Sequence, residues 1–308
     1  MFNTEDRKQK KLQKEKEKTN RTQAQKSIDF VKNLLFALIA ALLIKSFLIE
    51  TSRVPTGSME QTIMVGDFLF VNKFIYGSSS PRSIPFTSIS LPYFQLPAIS
   101  EPERGDIVVF EFPGYRDDII SETLDNYVKR CVGLPGDKIK IVDKVLYING
   151  VELERPPHIQ YNMSHPMPAG VPNSRIFPRN SGWNEDNYGE LVIPKAGDVI
   201  ELNKNNVVQW KTFIDREYAR RVVKTKGDII TIDGKEVTSY TIKEDYFFMM
   251  GDNRDNSLDS RFWGFVPRSK IMGEALMIYW SWNPNIPFSN LFKLLGTVRL
   301  NRIAKLVH

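Results

Sequence analysis

The run Tyr127-Val128-Lys129-Arg130-Cys131-Val132-Gly133-Leu134 carries one lysine and one arginine among β-favouring residues. As a strand it turns successive side chains to opposite faces, so Tyr127, Lys129 and Cys131 share one face while Val128 and Arg130 share the other. Shorter runs of the same kind lie around it: Phe68–Val71, Ile107–Phe112 and Ile139–Val142, each rich in Val, Ile or Phe and bounded by turn residues. Two turns are sharper signals. Val145–Ile148 is followed by Asn149-Gly150, and Ile229–Ile232 by Asp233-Gly234, pairs able to adopt the left-handed backbone of a tight hairpin. The pattern predicts a mostly β, antiparallel chain with no internal repeat. Residues 156–190, rich in Pro, Asn and Gly, read as irregular loop within an inserted β/loop subdomain, 151–244. The remaining segments, 50–150 and 245–308, then form one β domain.

The 308 residues are 42% hydrophobic and 25% charged, which excludes disorder but names no activity. The net charge of +6 is concentrated at the start, where residues 1–26 hold nine Lys/Arg against four Asp/Glu. A nearly neutral remainder offers no basic face for nucleic acid. Residues 1–27 are a polar tail, and residues 28–49 follow as a helix. Leu34–Ile44 contains no polar residue. Val31 to Ile49 reaches about 28 Å if helical, close to a bilayer core, provided Lys32 and Lys45 extend toward the head groups. This predicts an N-terminal transmembrane helix. A cleaved signal peptide fits less well, because the start is long and Lys45-Ser46-Phe47-Leu48 lacks a small-x-small site. The Lys/Arg excess before the span places the amino terminus in the cytoplasm and the chain after Ser52 outside. With Cys131 as its one cysteine, the chain can form no intrachain disulfide.

Residues 78–103 are Pro-rich and almost uncharged, with Ile84, Phe86, Ile89, Leu91, Tyr93, Phe94, Leu96 and Ile99; Ile278–Trp282 is a second apolar stretch. Both can be core packing, or an apolar rim at the membrane interface beside the helix.

A hydrolase needs a nucleophile, a base and donors for the oxyanion. His158 and His165 lie in the Pro/Asn-rich insert and His308 is the last residue, so neither a serine–histidine triad nor a metal site has good candidates. No Gly-rich phosphate loop is present. A serine nucleophile would have to use lysine, and lysine is a base only when burial makes it neutral. Lys129 lies in a strand that can bury it. Taken alone, however, a strand lysine is usually an exposed edge charge, and Ser58 is a polar turn residue after Pro55-Thr56-Gly57.

Their company changes this. Val54-Pro55-Thr56-Gly57-Ser58-Met59, Val65-Gly66-Asp67-Phe68, Arg104–Phe110, Tyr127–Asp137 and the long run Met250–Pro267 closely resemble, in order, the sequence boxes of bacterial type I signal peptidases, with the apolar helix just upstream. The resemblance implies an anchored serine endopeptidase of the cytoplasmic membrane that removes signal peptides from exported preproteins. It implies Ser58 as nucleophile and Lys129 as general base. The Ser58 N–H and the Thr56 hydroxyl would form the oxyanion hole. Ser257 would orient the lysine amine, supported by an Asp259–Arg261 ion pair. Val54, Met59, Ile63, Tyr127 and Val128 would line pockets for small side chains. Neither cofactor nor metal is implied; the partners are signal peptides and membrane lipid, with the secretion translocon as a further candidate. Glu60-Gln61 departs from the family pattern, which usually has proline just before Thr62, and puts the local turn in doubt. Two other readings compete: Cys131 as a thiol nucleophile of an anchored transpeptidase, and a non-catalytic anchored β-domain that binds envelope partners.

Overall fold

A computed structural model of the chain describes residues 22–77, 94, 96–123 and 125–307. Most of the apolar stretch 78–103, the greater part of the basic tail and His308 therefore lie outside the described residues.

Helix α1 (Gln23–Phe47) opens the described chain, with Thr22 and Gln25 forming a reciprocal cap. Strands β1 (Ile49–Arg53), β2 (Asp67–Asn72), β3 (Ile107–Glu111) and β4 (Asn126–Gly133) follow. Next come β5 (Lys138–Val142), β6 (Val145–Ile148), β7 (Val151–Glu152), β8 (Tyr188–Val192) and β9 (Val199–Glu201). After helix α2 (Val207–Glu217) come β10 (Val223–Lys226), β11 (Ile229–Ile232), β12 (Lys235–Glu236) and β13 (Ser239–Thr241). The chain then returns through β14 (Tyr246–Met250), β15 (Val266–Pro267), β16 (Ile271–Ser281) and β17 (Lys305–Leu306).

The principal sheet has the order β1-β2-β16-β3-β4-β14-β15, with β17 also on β16. Every pairing in it is antiparallel. Both of its faces are covered, and strand alternation divides the buried side chains. On β3, Ile107 and Val109 join a core with Val54, Met59, Ile63, Leu69 and Ile278, whereas Val108 and Phe110 join one with Cys131, Phe247, Met249 and Trp263. Burying a side chain such as Phe110 or Ile63 stabilises by roughly 2 kcal/mol. The same alternation on β14 separates Phe247 and Met249 from Tyr246, Phe248 and Met250, which face the insert. A second sheet, β7-β6-β5-β8, joins β7 and β8 of the insert to β5 and β6, which precede residue 151, and the insert adds two smaller sheets, β10-β11-β12 and β13-β9.

Both hairpin signals appear as expected: Asn149 and Asp233 take φ of 54° and 52°, with Gly150 and Gly234 behind them. Helix α2 was not anticipated within the β/loop insert. Its signal was present, since Val207, Trp210, Phe213 and Ile214 recur at helical spacing and turn toward the insert's core.

The helix expected over 28–49 is present as α1. Among the described residues, however, no helix is long and apolar enough to cross a membrane. The uninterrupted run Leu34–Ile44 rises only about 16 Å, short of a bilayer core, and Asn33 and Lys45 close it. Leu34, Leu35, Phe36, Leu38 and Ile39 are all exposed, so the helix is not a buried core element. Of the second apolar stretch, Ile278 is fully buried in the sheet's core and belongs to no rim.

Candidate active site

The loop between β1 and β2 carries Ser58, and strand β4, flanked by β3 and β14, carries Lys129. The loop is closed at its base by Val54 N–H to Asp67 O and Gly66 N–H to Val54 O, at 2.9 and 3.0 Å. Met59 and Ile63 plug it into the core below, 2% and 0% exposed. Asp67 is held by a distant residue that the sequence reading did not single out: Arg302 donates from Nε to Oδ1 at 3.0 Å and from Nη2 to Oδ2 at 2.6 Å. Arg302 also donates to the Thr62 carbonyl at 3.1 Å. Gln61 takes φ of 78°, a value closed to the proline ring, so the departure at Glu60-Gln61 reflects a different local turn.

Lys129 sits between β3 and β14, covered on both faces and 3% exposed. Its Nζ lies 2.6 Å from Ser58 Oγ and 3.1 Å from the Val128 carbonyl. Burial lowers the amine's pKa to about 8, against a smaller upward pull from Asp259 and Asp252. A neutral amine is therefore accessible at ordinary pH, as general-base work requires.

Arg130, on the opposite face of β4, pairs with Asp252 through two hydrogen bonds of 2.9 and 2.7 Å; both side chains are buried. Thr62 Oγ1 donates to the same carboxylate. Asp252 thus ties the Ser58 loop to the lysine strand. Asp255 pairs with Lys144 at 3.1 Å. Asp259 and Arg261 form a second buried bidentate pair, at 2.9 and 2.8 Å. Burial pushes the Asp259 carboxyl up, but the Arg261 charge and hydrogen bonds outweigh it and hold the group below the usual carboxylate range.

Ser257 lies beside these groups, but the expected hydrogen bond to the lysine amine is not formed. Its Oγ is buried with the Asp259 carboxylate as its polar neighbour, while Lys129 Nζ meets Ser58 Oγ and the Val128 carbonyl. Gly251 makes this crowding possible. A Cβ there would come within 2.2 Å of Ser257 Oγ and 2.5 Å of the Ser58 carbonyl.

A cleft of about 650 Å³ opens over the pair, and Val54, Thr56, Ser58, Met59, Ile63, Tyr127, Val128 and Lys129 all line it. Thr56 is exposed on its wall and Tyr127 half-buried. His158 and His165 are exposed. Cys131 is fully buried, and burial pushes its thiol well above the ordinary range, so it makes no thiolate nucleophile.

A buried lysine amine on a serine hydroxyl, both lining an open cleft, is the geometry of a serine hydrolase in which lysine stands where histidine usually does. The sequence profile of the family described as "Signal peptidase, peptidase S26" matches residues 27–280, and the chain belongs to that family. It is 32% identical over 291 residues to "Signal peptidase I" of Buchnera aphidicola subsp. Acyrthosiphon pisum, covering 90% of this chain and 81% of that protein. The protein of the same description from Pseudomonas aeruginosa is 31% identical over 288 residues, covering 88% and 79%. That from Rickettsia typhi is 32% identical over 299 residues, covering 94% and 95%.

Proposed function

We propose that this serine endopeptidase removes signal peptides from exported preproteins with Ser58 as nucleophile and Lys129 as general base. The observation that carries the mechanism is the 2.6 Å approach of a buried amine to the hydroxyl. The neutral amine takes the Ser58 proton as Oγ attacks the scissile carbonyl carbon, whose oxygen becomes the oxyanion. The Ser58 N–H and the Thr56 hydroxyl receive that charge. Collapse breaks the C–N bond, and the leaving amine takes the proton back from Lys129. A water, deprotonated by the same amine, then hydrolyses the ester to free the signal-peptide carboxylate and restore the serine. Val54, Met59, Ile63, Tyr127 and Val128 form the walls that accept the small side chains before the cut.

Ser257, Asp259 and Arg261 support the site. Arg261 neutralises Asp259, whose carboxylate also accepts from the Gly251 N–H at 3.2 Å. Ser257 reaches the lysine amine once the Ser58 proton has been transferred and the amine has a further N–H to donate.

Membrane engagement rests on α1, whose Leu34, Leu35, Phe36, Leu38, Ile39 and Ile44 are exposed and whose flanking Lys32 and Lys45 are long enough to extend to head groups. Phe288, Phe292 and Leu300 add an exposed apolar edge near the carboxy terminus, 70%, 91% and 76% accessible. Phe94 stands 6.1 Å from Phe47, ring to ring, at the end of the helix. Taken from Val31 to Phe47, with both lysines turned to the head groups, the helix rises about 25 Å, and in this reading it inserts in the cytoplasmic membrane, amino terminus inside, with the β domain on the outer face at the head groups. Signal peptides still embedded by their apolar cores are presented there, with the translocon as the source of substrate.

The test is incubation of the detergent-solubilised chain with a preprotein bearing Ala-x-Ala, followed by mapping of the new amino terminus. Ser58→Ala and Lys129→Ala, folded but inactive, are the expected outcome; near-normal turnover by either ends the reading. Protease accessibility of the β domain in spheroplasts, but not in sealed cells, tests the orientation.

A further inference from the structure

Two carbonyls flank the Ser58 side chain along the backbone, and one residue holds both. Asn253 Nδ2 donates to the Gly57 carbonyl and the Asn253 N–H donates to the Ser58 carbonyl, each at 3.0 Å. Asn253 is 2% exposed and is not part of the cleft wall. The Gly57–Ser58 peptide is trans, so its N–H points opposite to its C=O. Drawing the Gly57 carbonyl toward Asn253 therefore turns the Ser58 N–H the other way, toward the cleft. Among the described residues that N–H has no hydrogen-bond partner.

Asn253 is itself held by the proline-rich insert. Gln160 bridges it in parallel, its N–H donating to the Asp252 carbonyl at 2.9 Å and its carbonyl accepting from the Arg254 N–H at 3.0 Å. Asn162 Nδ2 donates to Asn253 Oδ1 at 3.4 Å, which leaves the Asn253 amide nitrogen directed at Gly57. Gln160 Oε1 also accepts from Gln61 Nε2 at 3.2 Å, so the insert touches both sides of the nucleophile loop.

We infer that Asn253 is a positioning residue for the oxyanion hole, aiming the Ser58 N–H through the Gly57 peptide, and that Gln160 and Asn162 of the insert hold it in place. This rests on the reading of Ser58 as nucleophile and oxyanion donor. It gives residues 156–190 a role in turnover rather than in substrate binding. An oxyanion donor acts on the charge that develops in the tetrahedral state, so misaiming it lowers kcat while leaving KM nearly unchanged.

The test uses the full chain in detergent, with a signal-peptide substrate and two non-cleaved probes of the same sequence. A peptide aldehyde adds Ser58 Oγ to its carbonyl carbon, passing the hydroxyl proton to Lys129 and leaving an alkoxide in the oxyanion hole. The matching alcohol binds without forming an adduct. Asn253→Leu keeps the shape but removes the donor. It is expected to lower kcat and aldehyde affinity together by about tenfold or more, with KM and alcohol affinity within about twofold of the parent. Parental kcat and aldehyde affinity, or an equal loss for aldehyde and alcohol, would overturn the inference. Should Asn253→Leu fail to fold, Asn162→Ala is read instead. A drop of about threefold in kcat and aldehyde affinity at constant alcohol affinity is expected, and unaltered values overturn the proposal. Ser58→Ala separates the layers. Retained turnover there removes the reading underneath, whereas an inactive Ser58→Ala beside a fully active Asn253→Leu removes only the role of Asn253.

Discussion

Lys129 Nζ and Ser58 Oγ lie 2.6 Å apart although 71 residues of chain separate them, and the lysine reaches the serine from a strand enclosed between β3 and β14, 3% exposed. An amine in that position is costly to charge, and this cost makes it a usable base.

The pH dependence follows directly. In the proposed mechanism Lys129 works only unprotonated, so kcat/KM should rise with pH and level off above about 8, the value to which burial lowers its amine. At pH 7 about one molecule in ten carries the neutral amine, so the rate there should be roughly a tenth of the plateau. A pH–rate profile with its limb near 10.5 would contradict this.

Stability should move in a related way. In the unfolded chain the amine keeps its ordinary 10.5, and in the fold it titrates at about 8. The unfolded state therefore binds more protons between these values, and stability rises with pH across that window. At pH 7 the charged native amine opposes folding by about 3 kcal/mol. Lys129→Met, inactive, should melt at the same or a higher temperature than the parent at pH 7, and the gain should shrink as pH approaches 10.5. Thermal melts at the two pH values measure it.

Removing one member of the Arg130–Asp252 pair leaves a buried charge unpaired. Asp252→Ala should cost about 3–5 kcal/mol in denaturant unfolding. Replacing both residues with apolar ones of similar size should recover part of that loss, which a double-mutant cycle would record.

Gly251→Ala places a methyl group against the Ser58 carbonyl and Ser257 Oγ, at 2.5 and 2.2 Å. Backbone must shift to admit it. The expected result is a loss of kcat of at least about a hundredfold, since small displacements of a nucleophile carry penalties of that order. Near-parental turnover in a steady-state assay would show that the loop relaxes freely.

Much of the fold was legible because its signals are local. Alternation on β4, which sets Tyr127 and Cys131 in one core and Val128 in the other, and the Asn149-Gly150 and Asp233-Gly234 turns, act within a few residues and appear as read. The turn joining β5 to β6 went unread, because Asp143 and Lys144 take φ of 47° and 72° without any glycine to announce it. Helix α2 was masked by its setting, a short amphipathic segment among turn residues.

What the sequence determined by itself was the most strongly patterned strands, two of the turns between them, and which family's boxes the chain carries. Only the tertiary structure decided that Asp67 meets Arg302 across 235 residues, that Asp252 ties Arg130 to Thr62, and that the insert reaches the Ser58 loop through Asn253. Period and turn chemistry act over a few residues, whereas the order in which strands neighbour one another depends on burial summed over the whole chain. That order, β2-β16-β3-β4-β14, encloses the lysine and sets its amine against the serine.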